Sequence, residues 1–287
     1  MNDSSPSRAS KARATLFGLA IGDALGTTVE FQPRGSFPLV TDMIGGGVFD
    51  LPPGGWTDDT SMALALATSL AEHKKFEPFD VMNRFVTWYR DGEYSHTYTC
   101  FDRGRTTANA LNAYQDMPET PWHGQTGPYS AGNGGIMRAA PVFLLYANNP
   151  VLGREVAVAQ SQLTHGDPQC DDAAETLADV VYELFDGNVP EAITCRESVF
   201  EDTIKSGGYV VDTLDAALWS MANSDSFATA VLTAVNLGHD ADTVGAVTGI
   251  LAGARYGMEG IPDTWKQRVL WSEEIDALAT RLLQHAA

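Results

Sequence analysis

Two short stretches of this chain carry more oxygen ligands than a helix start needs. One is Thr57-Asp58-Asp59-Thr60, directly after Gly54-Gly55-Trp56; the other is Asp240-Ala241-Asp242-Thr243, after Gly238-His239. Each opens a long apolar run. Threonine and aspartate are preferred N-cap residues, and carboxylates favour the positive end of a helix. Either stretch alone therefore reads as a cap. The pair reads differently, because each start carries two nearly adjacent acids. If the two starts meet in space, their carboxylates repel one another unless a cation sits between them. Hard ions such as Mg²⁺, Mn²⁺ or Ca²⁺ take all-oxygen ligand sets of this kind. Two such ions sharing a carboxylate can orient a water or substrate oxygens. The motifs lie far apart in the chain, so their meeting is an expectation about the fold.

A third stretch, Ser130-Ala131-Gly132-Asn133-Gly134-Gly135-Ile136-Met137-Arg138, is a glycine-rich loop opening a helix. Free backbone N–H groups at such a junction suit phosphate oxygens. It is no Walker A motif, since no GK[ST] follows, and no strand precedes it as a dinucleotide-binding turn requires. An ordinary loop-to-helix junction accounts for it as well. Among single residues, Glu30 follows the first helix. Asp102 lies just before another, in Cys100-Phe101-Asp102-Arg103-Gly104. Each is a candidate general base, or a cap or solvated acid. His165, in Leu163-Thr164-His165-Gly166-Asp167, ends a helix, where histidine is more often a dipole partner than a catalyst. The histidines show no zinc-ligand spacing.

Helices must position these groups. Apolar periodicity and start signals predict them over Lys11–Thr27, Asp59–Ala71, Asp80–Arg90, Arg105–Tyr114, Ile136–Tyr146 and Arg154–Gln162. Further ones are predicted over Asp171–Phe185, Thr213–Met221, Ser226–Val235, Asp242–Tyr256 and Ser272–His285. Alternating strand patterns are scarce, so the fold class is all-α: one compact multi-helix domain over residues 12–287 after a disordered tail, 1–11. Arg8, Lys11 and Arg13 before Leu16–Ile21 resemble a secretory signal, but that run is short and Asp23 interrupts it. Gly18, Gly22 and Gly26 are spaced by four, as are Gly245, Gly249, Gly253 and Gly257, so each set shares a helix face. An interior glycine costs about 1 kcal/mol against alanine, and close approach of two helix backbones is the natural compensation. Two long irregular segments, Gln32–Trp56 and Met117–Gly132, end just before polar motifs and are expected to wall a cleft.

The chain has 287 residues, of which 44% are hydrophobic and 19% charged, an ordinary globular composition. Its formal charge of −19 opposes binding to phosphate backbones, so no nucleic-acid partner is expected. Cys100, Cys170 and Cys195 form no CxxC and suggest no disulfide framework, which fits a reducing, cytoplasmic setting. Thr243–Ala254 is the longest apolar run, too short for a membrane span. A monomer is the expected state.

Taken together, the motifs resemble the ADP-ribosylglycohydrolase family. The resemblance rests on Gly18–Gly26, Glu30-Phe31, Thr57–Thr60, Gly132–Arg138, Thr164-His165 and Gly238–Thr243, with Tyr209–Thr213 and Ile261-Pro262 in support. It runs from about residue 12 to the end. Within the family the chain looks most like the bacterial dinitrogenase reductase-activating branch. The resemblance implies an all-α fold with two divalent cations, Mg²⁺ or Mn²⁺, at the base of a cleft. It implies metal ligation by Thr57, Asp58, Asp59, Asp240, Asp242 and Thr243. Asp102 matches the catalytic acid and Glu30 a glutamate near the metals. Asn133, Gly134 and Gly135 fall in the segment holding the phosphates and ribose of ADP-ribose, and His165 and Tyr209 match ligand contacts. Departures occur at Ala131, where close relatives carry an acid, and in Cys100–Thr107. The implied activity is removal of ADP-ribose from a modified protein side chain, most naturally arginine, by cleavage at the distal ribose. Serine or O-acetyl linkages, a nucleotide phosphohydrolase and a non-catalytic ADP-ribose reader are the alternatives.

Overall fold

The computed structural model describes residues 6–286. Its helices are α1 (Arg8–Gly26), α2 (Asp58–His73), α3 (Pro78–Asp91), α4 (Arg105–Asp116), α5 (Gly134–Met137), α6 (Ala140–Leu145) and α7 (Pro150–Gln162). They continue as α8 (Pro168–Phe185), α9 (Glu191–Thr194), α10 (Val210–Ala222), α11 (Phe227–Val235), α12 (Ala241–Gly260), α13 (Asp263–Arg268) and α14 (Ser272–Gln284). Among the described residues there is no strand, only isolated bridges at Gly46–Leu51, Gln125–His165 and Gly132–Tyr209. The all-α expectation holds.

α1 and α12 are apolar around their whole circumference, and such a helix belongs in the interior. From Ala14 to Gly26 every residue of α1 is buried, and so is every residue of α12 from Ala241 to Ala254. The glycine ladders explain how the two pack. A Cβ at Gly18, Gly22 or Gly26 would collide with the backbone of Gly249, Gly245 or Ala241 respectively. One number rises as the other falls, so the helices run antiparallel, backbone against backbone. The last turn of α1 therefore lies against the first turn of α12. α2, α6 and α14 pack together on one side of this pair, and α8, α10 and α11 pack against α12 on the other. No helix of the described residues is long and apolar enough to cross a membrane.

The elements differ from expectation in a few places. α1 begins at Arg8, with the Ser7 side chain accepting from the Ser10 N–H, so part of the expected tail is helical. Residues 1–5 of that tail lie outside the described residues. Lys11 sits within the helix, and its Nζ donates to the carbonyls of Leu184 and Phe185 at the end of α8, the usual use of a lysine at a helix C-terminus. The helix expected over Ile136–Tyr146 is two, α5 and α6. Pro141 has no N–H to continue a ladder, and the backbone leaves helical geometry at Arg138. The short α9 and α13 carry too few turns to show a period. In α12 the regular spiral ends at Gly257 (φ 66), directly after the expected last residue, Tyr256.

Candidate active site

The two acidic helix starts meet. Thr57 Oγ1 donates to Asp242 Oδ2 at 3.2 Å, and Thr243 Oγ1 donates to Asp59 Oδ2 at 3.2 Å. Thr57, Asp58, Asp59, Asp242 and Thr243 are all buried, and Asp240 is half-buried. The capping explanation fails for both starts, since neither Thr57 nor Asp240 makes a side-chain cap bond.

The cap of α2 comes instead from Asp23, a residue that the sequence offered only as an interruption of an apolar run. Its Oδ1 accepts from the Thr57 N–H at 2.9 Å and lies 3.0 Å from Thr57 Oγ1, whose one proton it shares with Asp242. Its Oδ2 accepts from the Thr60 N–H at 3.0 Å and Thr60 Oγ1 at 2.6 Å. Asp23 lies on α1 one residue past Gly22, where that helix touches α12. One carboxylate thus ties the start of α2 to the helix pair that carries Asp240 and Asp242. The signal for it was present: an acid inside a helix whose every face is apolar or glycine must have a specific partner.

Glu30 is brought in by backbone pairing. The Phe31 N–H donates to the His239 carbonyl at 2.6 Å, and the His239 N–H donates to that of Gln32 at 2.8 Å. Phe31 and His239 both adopt left-handed φ, 61° and 59°. The result groups Glu30 with Asp240 and Asp242, one carboxylate oxygen of each within 4.8 Å of the others. Glu30 Oε2, Asp59 Oδ1 and Asp242 Oδ1 are buried without a hydrogen-bond partner. Buried anionic oxygens without donors are costly. An all-oxygen cluster with open lone pairs is what a hard divalent cation satisfies, so the residues present fit such an ion.

Electrostatics agrees. Burial, then the charges of Asp242, Asp240 and Asp58, push Glu30 up to about 10. Burial, then Asp242, raises Asp240 to about 7; burial, then Asp23, raises Asp242 to about 6. Asp58 and Asp59 are raised well above the carboxylate range by burial and by these neighbours. An unfolded carboxylate titrates near 4, so the folded, cation-free protein holds extra protons above that pH. The stabilisation they give is complete below pH ~4 and is lost as pH rises through the folded values. The cation-free protein is therefore expected to melt at lower temperature at pH 8 than at pH 6, with Mn²⁺ raising Tm more at pH 8. A cation-free Tm that is flat or rising over that interval would contradict the grouping.

Above this cluster opens a cavity of about 810 Å³. Its floor includes Glu30, Asp58, Asp240, Asp242 and Thr243, while Thr57 and Asp59 lie beneath. Asp102, at a left-handed φ of 55°, faces the floor from the segment before α4. Burial and the charges of Asp58, Asp242, Glu30 and Asp59 drive its carboxyl far above the usual range in the cation-free protein. Gly132, Asn133 and Gly134 form one wall with His165; Tyr209 stands at the opening, its hydroxyl on Gln169. Tyr209 is fixed beside the glycine loop because the Val210 N–H donates to the Ala131 carbonyl. Asn133 points its amide at the acids, donating to Asp240 Oδ2 at 2.6 Å and Thr213 Oγ1 at 3.0 Å.

Two expectations are corrected. Gly135 is not part of the wall; it packs on Ser161, where a Cβ would strike the side chain. Of the two long loops, Met117–Gly132 supplies Gly127, Pro128 and Tyr129 to the cavity. Gln32–Trp56 supplies none, reaching only its edge through Phe49, which lies between Phe31 and Phe101.

Comparison with known proteins places this geometry. The family model "ADP-ribosylglycohydrolase" matches residues 4–287. The ADP-ribosylarginine hydrolase Tri1 of Pseudomonas putida is 41% identical over 96% of this chain and 78% of its own. The ADP-ribosyl-[dinitrogen reductase] glycohydrolase of Rhodospirillum rubrum is 35% identical over 92% of each chain. The likeness to the dinitrogenase reductase branch thus holds, with Tri1 the more similar of these two. A solved structure titled "ADP-ribosylglycohydrolase-related protein complex" superposes with a TM-score of 0.84 at 38% identity, covering 98% of this chain and 99% of that one. Two acid-bearing helix starts closing the floor of one cleft, within a fold and a sequence matched end to end, make this chain a member of the ADP-ribosylglycohydrolase family.

Proposed function

We propose that this protein is a divalent-cation-dependent hydrolase that removes ADP-ribose from modified arginine side chains. The observation that carries the reading is the convergence of Glu30, Asp240 and Asp242, with unpartnered buried oxygens, at the floor of a cavity large enough for a dinucleotide-sized ligand. The arginine linkage rests on the likeness to a relative named an ADP-ribosylarginine hydrolase. It also suits the acidic floor, which attracts a cationic guanidinium.

The residues that would hold two Mg²⁺ or Mn²⁺ ions are Thr57, Asp58, Asp59, Asp240, Asp242 and Thr243, with Glu30 alongside. Bound there, such ions supply Lewis acidity and fixed coordination positions for oxygens. The chain's own groups do the rest. Breaking the bond at C1 of the distal ribose builds positive charge on the ring, and the surrounding carboxylates stabilise it. Asp102, over the floor, is the leading general acid/base, with Glu30 second. Neutral donors along Gly132–Gly134, with His165 and Tyr209, hold the remainder of the ligand without adding charge.

Asp23 acts through Thr57 and Thr60, so Asp23→Asn is expected to weaken Mn²⁺ binding by roughly 10–100-fold. An asparagine turns an N–H₂ toward one pair of donors. Calorimetry against Mn²⁺ checks this, and unchanged affinity would leave Asp23 a purely structural cap. The activity itself is tested by incubation with arginine-, serine- and O-acetyl-linked ADP-ribose, with and without chelator. Cation-dependent release from the arginine linkage is the expected result. Release of inorganic phosphate instead, or tight ADP-ribose binding without turnover, would overturn it.

A further inference from the structure

Arg138 is fully buried, and among the described residues no carboxylate pairs with it. Its guanidinium stacks over the Phe85 ring, 4.6 Å from the centroid. Nε donates to Gln160 Oε1 at 2.9 Å, and Nη2 donates to the Gln160 carbonyl at 2.9 Å and to Thr164 Oγ1 at 2.8 Å. Gln160 passes the constraint on, its Nε2 donating to the Gly135 carbonyl at 2.6 Å. Thr164 Oγ1 lies 2.8 Å from His165 Nδ1. The other edge of the His165 ring faces the glycine loop, where a Cβ at Gly132 would lie 3.2 Å from Nε2 and one at Gly134 2.6 Å from Cε1.

The direction of this relay follows from what each group can do. A guanidinium only donates, so Thr164 Oγ1 accepts from Arg138. The threonine has one proton, and in its buried position the one acceptor within reach is His165 Nδ1. Nδ1 must then be the unprotonated nitrogen, or the hydroxyl proton is left without a partner at the cost of a buried unmade bond. The imidazole proton sits on Nε2, on the cleft side. Burial, with the Arg138 charge, also depresses the His165 pKa to about 3, so the ring stays neutral.

We infer that Arg138 is a positioning residue: through Thr164 it fixes His165 as the Nε2–H tautomer, presenting one uncharged donor from the cavity wall to an acceptor oxygen of the ligand. The ligand's identity rests on the proposed function; the tautomer does not. A neutral donor suits a phosphoryl or hydroxyl oxygen, and it adds no cation beside an acidic floor that must attract cations of its own.

The test is histidine ¹⁵N NMR on the whole protein near neutral pH, with the His165 signals identified by their loss in His165→Gln. The expected spectrum shows Nδ1 unprotonated and Nε2 bearing hydrogen. Thr164→Val, which removes the link but keeps the volume, is expected to release the tautomer and weaken ADP-ribose binding by about tenfold, one hydrogen bond's worth. Mn²⁺ affinity should be unchanged, and Thr164→Ser should restore both signature and affinity. An Nδ1–H tautomer in the parent protein, or a Thr164→Val protein with the parent spectrum, would overturn the inference. Failure to bind ADP-ribose at all, with the Nε2–H signature intact, would instead count against the proposed function.

Discussion

Asp242→Ala is expected to abolish divalent-cation binding and to lower turnover by roughly a thousandfold or more, with the helical fold kept. The residue touches both halves of the site. It accepts from Thr57 across the helix junction, stands in the triad with Glu30 and Asp240, and has a buried oxygen without a partner. Deleting it removes a proposed ligand and leaves fewer crowded acids behind. Metal-derived charge stabilisation is worth several kcal/mol, and each ~1.4 kcal/mol is tenfold in rate. The cation-free variant should melt no lower than the parent, because the lost carboxylate was itself crowded by Asp23. Calorimetric titration with Mn²⁺ and thermal melts with and without the ion read both effects. Undiminished Mn²⁺ binding would remove Asp242 from the ligand set.

Asp102→Asn separates chemistry from binding. The side chain reaches the floor from a loop and touches the buried network through a hydrogen bond to Asp242, which an amide N–H can still donate; the bonds that join α1, α2 and α12 run through Asp23, Thr57, Asp59, Asp242 and Thr243. Mn²⁺ and ADP-ribose binding should persist while release from an arginine-linked substrate falls by roughly 10²–10⁴-fold, the usual worth of a positioned general acid/base. Activity close to that of the parent would pass the role to Glu30. Loss of Mn²⁺ affinity along with turnover would make Asp102 a ligand.

Much of this was legible in the sequence, and what was not has a common cause. The helices from Asp58 to Asp91 and from Pro168 to Phe185 declare themselves by apolar spacing. The doubled acids at Asp58-Asp59 and Asp240-Asp242 declare themselves by exceeding what capping needs. The glycine ladders foretold close helix contact, and Gly18, Gly22 and Gly26 make it with the N-terminal half of α12. Hidden were interactions whose partners lie far away in the chain. Asp23 looks like a lone acid until Thr57 and Thr60, 34 and 37 residues on, point their donors at it. The Phe31–His239 pairing is made by main-chain atoms, which carry no side-chain signature. Arg138 reads as one more charged residue in a helix until Gln160 and Thr164, 22 and 26 residues on, are seen to take its donors in the interior. The resemblance placed Glu30 near the metals but could not show it grouped with Asp240 and Asp242.

The antiparallel seating of α1 on α12 has a consequence for how the protein comes into being. α1 is synthesised long before its main partner, α12, and until then its apolar surface has only lesser neighbours. Such non-local pairing carries a large loop-closure cost and slows folding. Nascent chains released before α12 emerges would lack Asp240 and Asp242 and expose the apolar surface of α1, the kind of species that aggregates or recruits chaperones. Assembly of the acidic floor is thus tied to the pairing of α1 with α12, and on the proposed cation dependence divalent ions present during refolding are expected to favour the completed state over partial ones.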